Sequence, residues 1–299
     1  MNTAVTPMPP VASPANSVDH ESPWREAARM FVRNKSAVVA LIVLTIIVVG
    51  SLLMPYLYAA DPFEIAAAPM TPPGADALLG TDFLGRDVLR MLLHGGRVTI
   101  LVGAVAALLS VTIGIFVGAL SGFYDGRWIS TVLSRVTEFF QVLPALLFAM
   151  VLTSLFTPSL TTVIVAIGIV SWTATARLTR AEFLKLRNID FVRAERAIGA
   201  KNARIIWQVI LPNALPPLIV SATLAIGAAI LFEAGLSFMG MGDPNEMSWG
   251  LMIGSSRPYI LSNWWAVTFP GLAIFIVVLA ISLIGDGLND AFNPKLRER

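Results

Sequence analysis

Cysteine is absent from all 299 residues. Disulfides, thiolate metal sites and a cysteine nucleophile are excluded together. Histidine is almost absent: His20 and His94 stand far apart and outside the long apolar runs. They read as solvated side chains, not as metal ligands or as half of a catalytic dyad. None of the four lysines, Lys35, Lys185, Lys201 and Lys295, follows a glycine. The Gly-Lys step of a phosphate-binding loop is therefore missing, and ATP hydrolysis has no seat on this chain. Charge is scarce as well. Asp, Glu, Lys and Arg make up 13% of the residues and the formal net charge is only +2, which gives nucleic acid no electrostatic footing.

What fills the chain is hydrocarbon. Hydrophobic residues make up 56% and mean hydropathy is +0.75, which excludes an ordinary soluble domain and indicates an all-α polytopic membrane protein. Residues 1–24 carry Pro7, Pro9, Pro10, Pro14 and Pro23 among Ala, Ser and Thr with no apolar period. They read as a disordered tail, without the early apolar core of a cleaved signal peptide. Apolar runs near 37–57, 98–120, 131–156, 160–177, 213–236 and 264–285 predict six transmembrane helices. Phe156-Thr157-Pro158-Ser159 separates the third run from the fourth as a tight turn. Arg25, Arg29, Arg33 and Lys35 precede the first run, so the N-terminus is expected inside. Of the 21 Lys and Arg, only Arg86, Arg90, Arg97 and Arg257 then fall outside. Six spans put both termini in the cytoplasm. The organisation read from this is a tail over 1–24, a first helix and outer loop over 25–97, and a five-helix core over 98–299.

The polar island Phe191 to Pro217 interrupts this pattern. Ile198, Ile205, Ile206, Val209 and Ile210 recur at helical spacing, and Arg193, Arg196, Lys201 and Arg204 fill the remainder. Gly199 permits either a left-handed residue between two short helices or close approach of another backbone, and Pro212 is expected to stop or kink the chain. By charge alone it is a basic cytoplasmic loop. Its spacing says more: Arg193-Ala194-Glu195, three residues, Gly199, nine residues, Val209, one residue, Leu211-Pro212. This resembles the EAA loop of ABC-importer permeases, with Arg193 where the family has Glu and Glu195 where it has the second Ala. The resemblance implies a coupling loop over about 179–212 that seats in an ATPase subunit, carried by Arg193, Ala194, Glu195, Ala197, Ile198, Gly199, Ala200, Leu211 and Pro212.

Earlier, Leu79-Gly80-Thr81-Asp82-Phe83-Leu84-Gly85-Arg86-Asp87 reads bottom-up as a glycine-punctuated turn in which Asp82, Arg86 and Asp87 can pair locally. It is similar to the LGTD-x-x-GRD signature of the dipeptide, oligopeptide and nickel permease group, placing Gly80, Asp82, Gly85, Arg86 and Asp87 in the family's outer-loop motif. Gly122-Phe123-Tyr124-Asp125-Gly126-Arg127-Trp128 forms a short inner turn like the family's. Arg135 and Glu138, at i, i+3 spacing, can neutralise each other as structural or gating residues. Glu233, within Ile230-Leu231-Phe232-Glu233-Ala234-Gly235-Leu236-Ser237-Phe238, is an intramembrane carboxylate that either lines a pathway or caps packing at the outer interface. Ser248-Trp249-Gly250 and Gly285-Asp286-Gly287-Leu288 are also family-like.

Together these motifs resemble the C-type subunit of a peptide-type ABC importer over about residues 25–299. The resemblance implies a type I ABC importer permease fold in the bacterial inner membrane. It further implies a B-type permease partner, two ATPase subunits that bind ATP and Mg, and an external substrate-binding protein. This chain would bind no cofactor. The competing class is an ion-coupled carrier or channel, which would place charge in several spans, whereas this chain offers chiefly Glu233 at depth.

Overall fold

The computed structural model describes residues 23–57 and 61–292; residues 1–22 of the tail expected over 1–24, with His20, and the basic end at 295–299 lie outside the described residues, and the last two tail residues already belong to a helix. Among the described residues the protein is helical and has no strand beyond two isolated bridges in the first loop.

Helix α1 (Pro23–Arg33) is short and amphipathic, and it packs at the end of the last helix, where Phe31 meets Gly287. Asn34 separates it from α2 (Lys35–Leu57). Its Oδ1 accepts from the Ala37 amide at 3.2 Å and the Ser36 hydroxyl at 2.6 Å, a side-chain N-cap. No charge follows Lys35 in α2, and Val39, Ile42, Ile46 and Leu53 are exposed, as a lipid-facing helix requires.

Helix α3 (Val88–Phe123) starts ten residues earlier than the apolar run suggested, so the His94-Gly95-Gly96-Arg97 stretch is helical and not a turn. The Asp87 carboxylate caps the new start, accepting from the amides of Leu89 at 2.8 Å and Arg90 at 3.4 Å. Gly95 and Gly96 let the Trp249 indole lie against the helix backbone. Farther along, Gly114, Gly118 and Gly122 recur every fourth residue and make a smooth stripe. Thr175, Ala176, Thr179 and Phe183 of α6 (Leu160–Leu186) press into it, leaving no room for a β-carbon.

The third run is broken. Helices α4 (Trp128–Val142) and α5 (Ala145–Ser154) meet at 89° across Leu143 and Pro144, where proline has no N–H to continue the ladder. The following turn at 155–159 ends with Ser159 capping α6, its Oγ accepting from the Thr162 amide at 3.2 Å. Among the described residues five helices are thus long and apolar enough to cross a membrane, or six if the bent pair counts as one span.

After α7 (Asp190–Ala197) and one turn of α8 (Asn202–Arg204), a π-turn over Ile205–Ile210 runs directly into α9 (Leu211–Phe238). Pro212 therefore neither stops nor breaks the chain. It sits in the first turn of α9, where the wider π-turn precedes it and its missing N–H costs little. Helix α10 (Trp249–Ser256) is short, and α11 (Trp265–Phe292) returns along α2 and α9.

Three apolar clusters run along the bundle. One joins Val88, Met91, Trp249 and Trp265 at the end bearing the first loop. One lies among Val102, Ala106, Ile167 and Leu236. The third joins Phe123, Phe183, Val192, Ile205 and Ile210 at the end bearing α7. Asn34 Nδ2 donates to Asp290 Oδ2 at 3.2 Å, so both described ends of the chain meet at one end of the bundle.

Candidate functional site

The segment after α6 is held by one buried side chain and presents the rest. Val192 is fully buried beneath α7 against Phe183, Leu186 and Ile205. Arg193, Ala194, Ala197 and Ile198 face outward, and Ile198 is 77% exposed. The helix ends in a Schellman turn: the Gly199 amide donates to Arg196 O and the Ala200 amide to Glu195 O, both at 3.0 Å. Gly199 has φ +83, and a β-carbon there would meet nothing within 4 Å. Of the two roles open to this glycine in the sequence, the left-handed turn is the one it has. That turn divides the expected apolar face, burying Ile205, Ile206 and Ile210 while turning Ile198 outward. Glu195 lies 3.9 Å from Arg204 across the turn, and Arg193 lies 3.6 Å from Asp190. Leu211 packs against the same cluster beyond the π-turn, whereas Pro212 is exposed.

At the opposite end, Glu233 is 2% exposed and packed among α3, α9 and α10. Its Oε1 accepts from the Ser237 hydroxyl at 2.7 Å, and the Oε2 atom is buried without a hydrogen bond. The Thr99 hydroxyl beside it accepts from the Trp249 amide at 3.1 Å, and the Trp249 indole N–H donates to Leu92 O at 2.8 Å. The carboxylate thus belongs to the polar seam that seats α10 on α3 and α9.

The first loop is a clip closed by its own polar side chains. Asp82 is fully buried, and its Oδ1 accepts from the Leu84 and Arg86 amides, both at 2.8 Å. The expected pairing of Asp82 and Asp87 with the Arg86 side chain is not what forms. Both carboxylates serve main-chain amides that have no other acceptor in so tight a turn, and the Arg86 guanidinium lies over the Phe63 ring at 5.2 Å. Gly80 and Gly85 have φ +78 and +84, and the loop is pinned to α11 where the Trp265 indole N–H donates to Thr81 O at 3.0 Å. Arg135 and Glu138 do pair, at 2.9 Å, on an exposed face of α4.

One polar constellation gives the inner-turn motif partners that the sequence reading did not find. Asp125, in the turn between α3 and α4, receives Arg180 on Oδ1 at 3.0 Å and Arg187 on Oδ2 at 3.3 Å. Arg180 also donates to the hydroxyls of Ser130 and Ser134, and Arg187 to the carbonyls of Gly122 and Asp125. The end of α6, from which α7 hangs, is thereby fixed to α3 and α4. A lone carboxylate in a short turn, opposite two arginines about two helical turns apart, was the available sequence signal. Among the described residues no group of three His, Cys, Asp or Glu side chains comes together as a metal site would need.

This arrangement is an importer permease fold. The inward-facing MetNI methionine ABC transporter, in its native crystal form, is similar with a TM-score of 0.59 and 23% identity, covering 69% of this chain and 97% of that one. Sequence carries the family. Residues 110–298 match the binding-protein-dependent transport system inner membrane component, and residues 22–73 match the N-terminal TM domain of oligopeptide transport permease C. The di/tripeptide transport system permease protein DppC of Pseudomonas aeruginosa is 41% identical over 289 residues, covering 94% of this chain and 95% of that one. The dipeptide transport system permease protein DppC of Alkalihalophilus pseudofirmus is 38% identical over 295 residues, covering 98% and 97%. The chain belongs to the binding-protein-dependent transport system inner membrane component family, as a multi-pass membrane permease.

Proposed function

We propose that this permease is the C-type half of a peptide-type ABC importer. It pairs with a B-type permease, takes its energy from two ATPase subunits that hold ATP and Mg, and receives cargo from an external binding protein. Peptides are the leading cargo, since relatives named for dipeptide and di/tripeptide transport align over nearly the whole chain. The observation that carries the mechanism is α7: a short helix whose one buried side chain is Val192, presenting Ile198 to solvent beside a left-handed Gly199. An exposed apolar side chain on a rigidly closed turn suits insertion into a groove of another protein. Motion of the ATPases would then reach the bundle through Val192 and the Asp125, Arg180 and Arg187 tie.

In this reading the α7 end is cytoplasmic, with both described ends of the chain beside it and the clip of Gly80, Asp82, Gly85, Arg86 and Asp87 outside, and the termini lie in the cytoplasm. Support for that orientation comes from Asn34 and Asp290 meeting at one end, and from the basic residues crowded around α7. Arg135 and Glu138, exposed on α4, would face the partner permease or the shared pathway. Uptake of a labelled dipeptide into vesicles holding the assembled complex tests the reading: transport should require ATP inside and binding protein outside. Uptake driven by an ion gradient without ATP would replace it with the carrier.

A further inference from the structure

Between the α3–α4 turn and α7 lies an open polar cavity of about 350 Å³, lined by Phe123, Tyr124, Asp125, Arg127, Arg187, Asn188, Arg196 and Asn202. Its charge is lopsided. Three guanidiniums face one carboxylate, and Asp125 is already committed to Arg180 and Arg187. Among the described residues Arg127 and Arg196 have no acidic partner; each lies instead on an aromatic ring, Arg127 over Tyr124 at 5.6 Å and Arg196 over Phe123 at 5.4 Å. Stacking holds a guanidinium by its face and leaves its N–H edge free to donate. Two edge-on donors, with the Asn188 and Asn202 amides beside them, suit the oxygens of a phosphate group.

The surroundings indicate where that phosphate comes from. Trp128, next to Arg127, is 76% exposed at the very start of α4, and Val132 is exposed one turn farther on. An exposed tryptophan at a helix end beside a basic residue is the pattern of a membrane-water interface, which sets the cavity at headgroup level. We propose that this cavity binds a phosphate-bearing anion, supplied by an anionic phospholipid headgroup at the membrane surface on the α7 side. A lipid held there would bridge α4 to the Arg196 end of α7. The position of α7 would then depend on the surrounding bilayer.

The experiment is native mass spectrometry of the assembled complex released from bilayers of phosphatidylglycerol mixed with phosphatidylcholine. The wild-type complex should retain phosphatidylglycerol in preference to phosphatidylcholine. The Arg127→Gln/Arg196→Gln double variant should lose that retention by about tenfold or more, as expected when two basic residues near an anionic surface are removed. Lys185→Gln, a charge change on the same side but outside the cavity, should retain the lipid. A parallel arm adds inorganic phosphate during release. Persistence of the lipid supports the headgroup as the source, and its displacement supports the same site filled by free phosphate. Equal retention of the two lipids, or undiminished phosphatidylglycerol in the double variant, overturns the proposal. So does loss of the ATPase subunits from the double variant with lipid retention unchanged, which would assign the arginines to acidic groups of a protein partner.

Discussion

Arg180 donates to Asp125 across 55 positions of sequence, at 3.0 Å, and ties the end of α6 to the turn between α3 and α4. Both side chains are only partly exposed, and Asp125 also receives Arg187. Removing the carboxylate takes the charged partner from two guanidiniums at once and leaves them only neutral acceptors, so Asp125→Ala should destabilise by about 1–3 kcal/mol, more than a surface pair would contribute. Asp125→Asn keeps an acceptor and should cost less. Thermal unfolding of the purified complex measures both, and an Asp125→Ala midpoint equal to wild type would show that the tie carries no weight.

Glu233 distinguishes packing from transport. With 2% exposure and a bond to Ser237, its carboxylate serves the seat of α10. Glu233→Gln retains an acceptor for Ser237 and should assemble and transport like wild type. Glu233→Leu leaves the buried Ser237 hydroxyl without its acceptor and should lower stability by roughly 1–3 kcal/mol. Should the Gln variant assemble normally yet fail to transport, the carboxylate would have to act on cargo or gating instead.

The absence of cysteine makes the orientation directly measurable, because one introduced thiol is the only thiol. Asp76, Asn245 and Lys185 are all exposed, whereas Met247 is 2% exposed and would label poorly wherever it faced. Asp76→Cys and Asn245→Cys should react with an impermeant maleimide in intact spheroplasts, and Lys185→Cys only after lysis. Reaction of Lys185→Cys in intact cells would invert the topology.

Local chemistry was legible, and contacts across the chain were not. At Gly199 the sequence narrowed the choice to a left-handed break or a close backbone approach, and the empty space around it in the fold selects the first. The start of α3 could not be read, since the apolar run begins only near residue 98, and Trp249, which packs against Gly95 and Gly96, lies some 150 positions later. Pro144 was visible, yet the apolar run through it looked continuous; the 89° bend belongs to the packing of α5 on α6 as much as to proline. Gly114, Gly118 and Gly122 carried a readable four-residue spacing whose partner helix only the fold identifies. The acid-base pairing expected in the first loop failed because backbone amides in a tight turn compete for the same carboxylates.

Gly199 offers the sharpest test of coupling, because its surroundings in the isolated chain are empty. A β-carbon there clashes with nothing, so the cost of substitution within this chain is the left-handed backbone alone, about 1 kcal/mol or somewhat more for an ordinary residue. Asparagine tolerates that conformation best among non-glycine residues and β-branched residues worst. If the loop is only a surface turn, Gly199→Asn, Gly199→Val and Gly199→Glu should all insert, assemble and transport, differing by that small strain. If Ile198 and Gly199 enter an ATPase groove, the open space is where the partner sits. Gly199→Glu should then abolish uptake and release the ATPase subunits on purification, while the permease remains in the membrane. Gly199→Val should weaken both, and Gly199→Asn should lose least. Copurification of the ATPases, measured beside ATP-driven dipeptide uptake, separates the two cases; a Gly199→Glu complex that keeps its ATPases and its uptake would remove the coupling role from this turn.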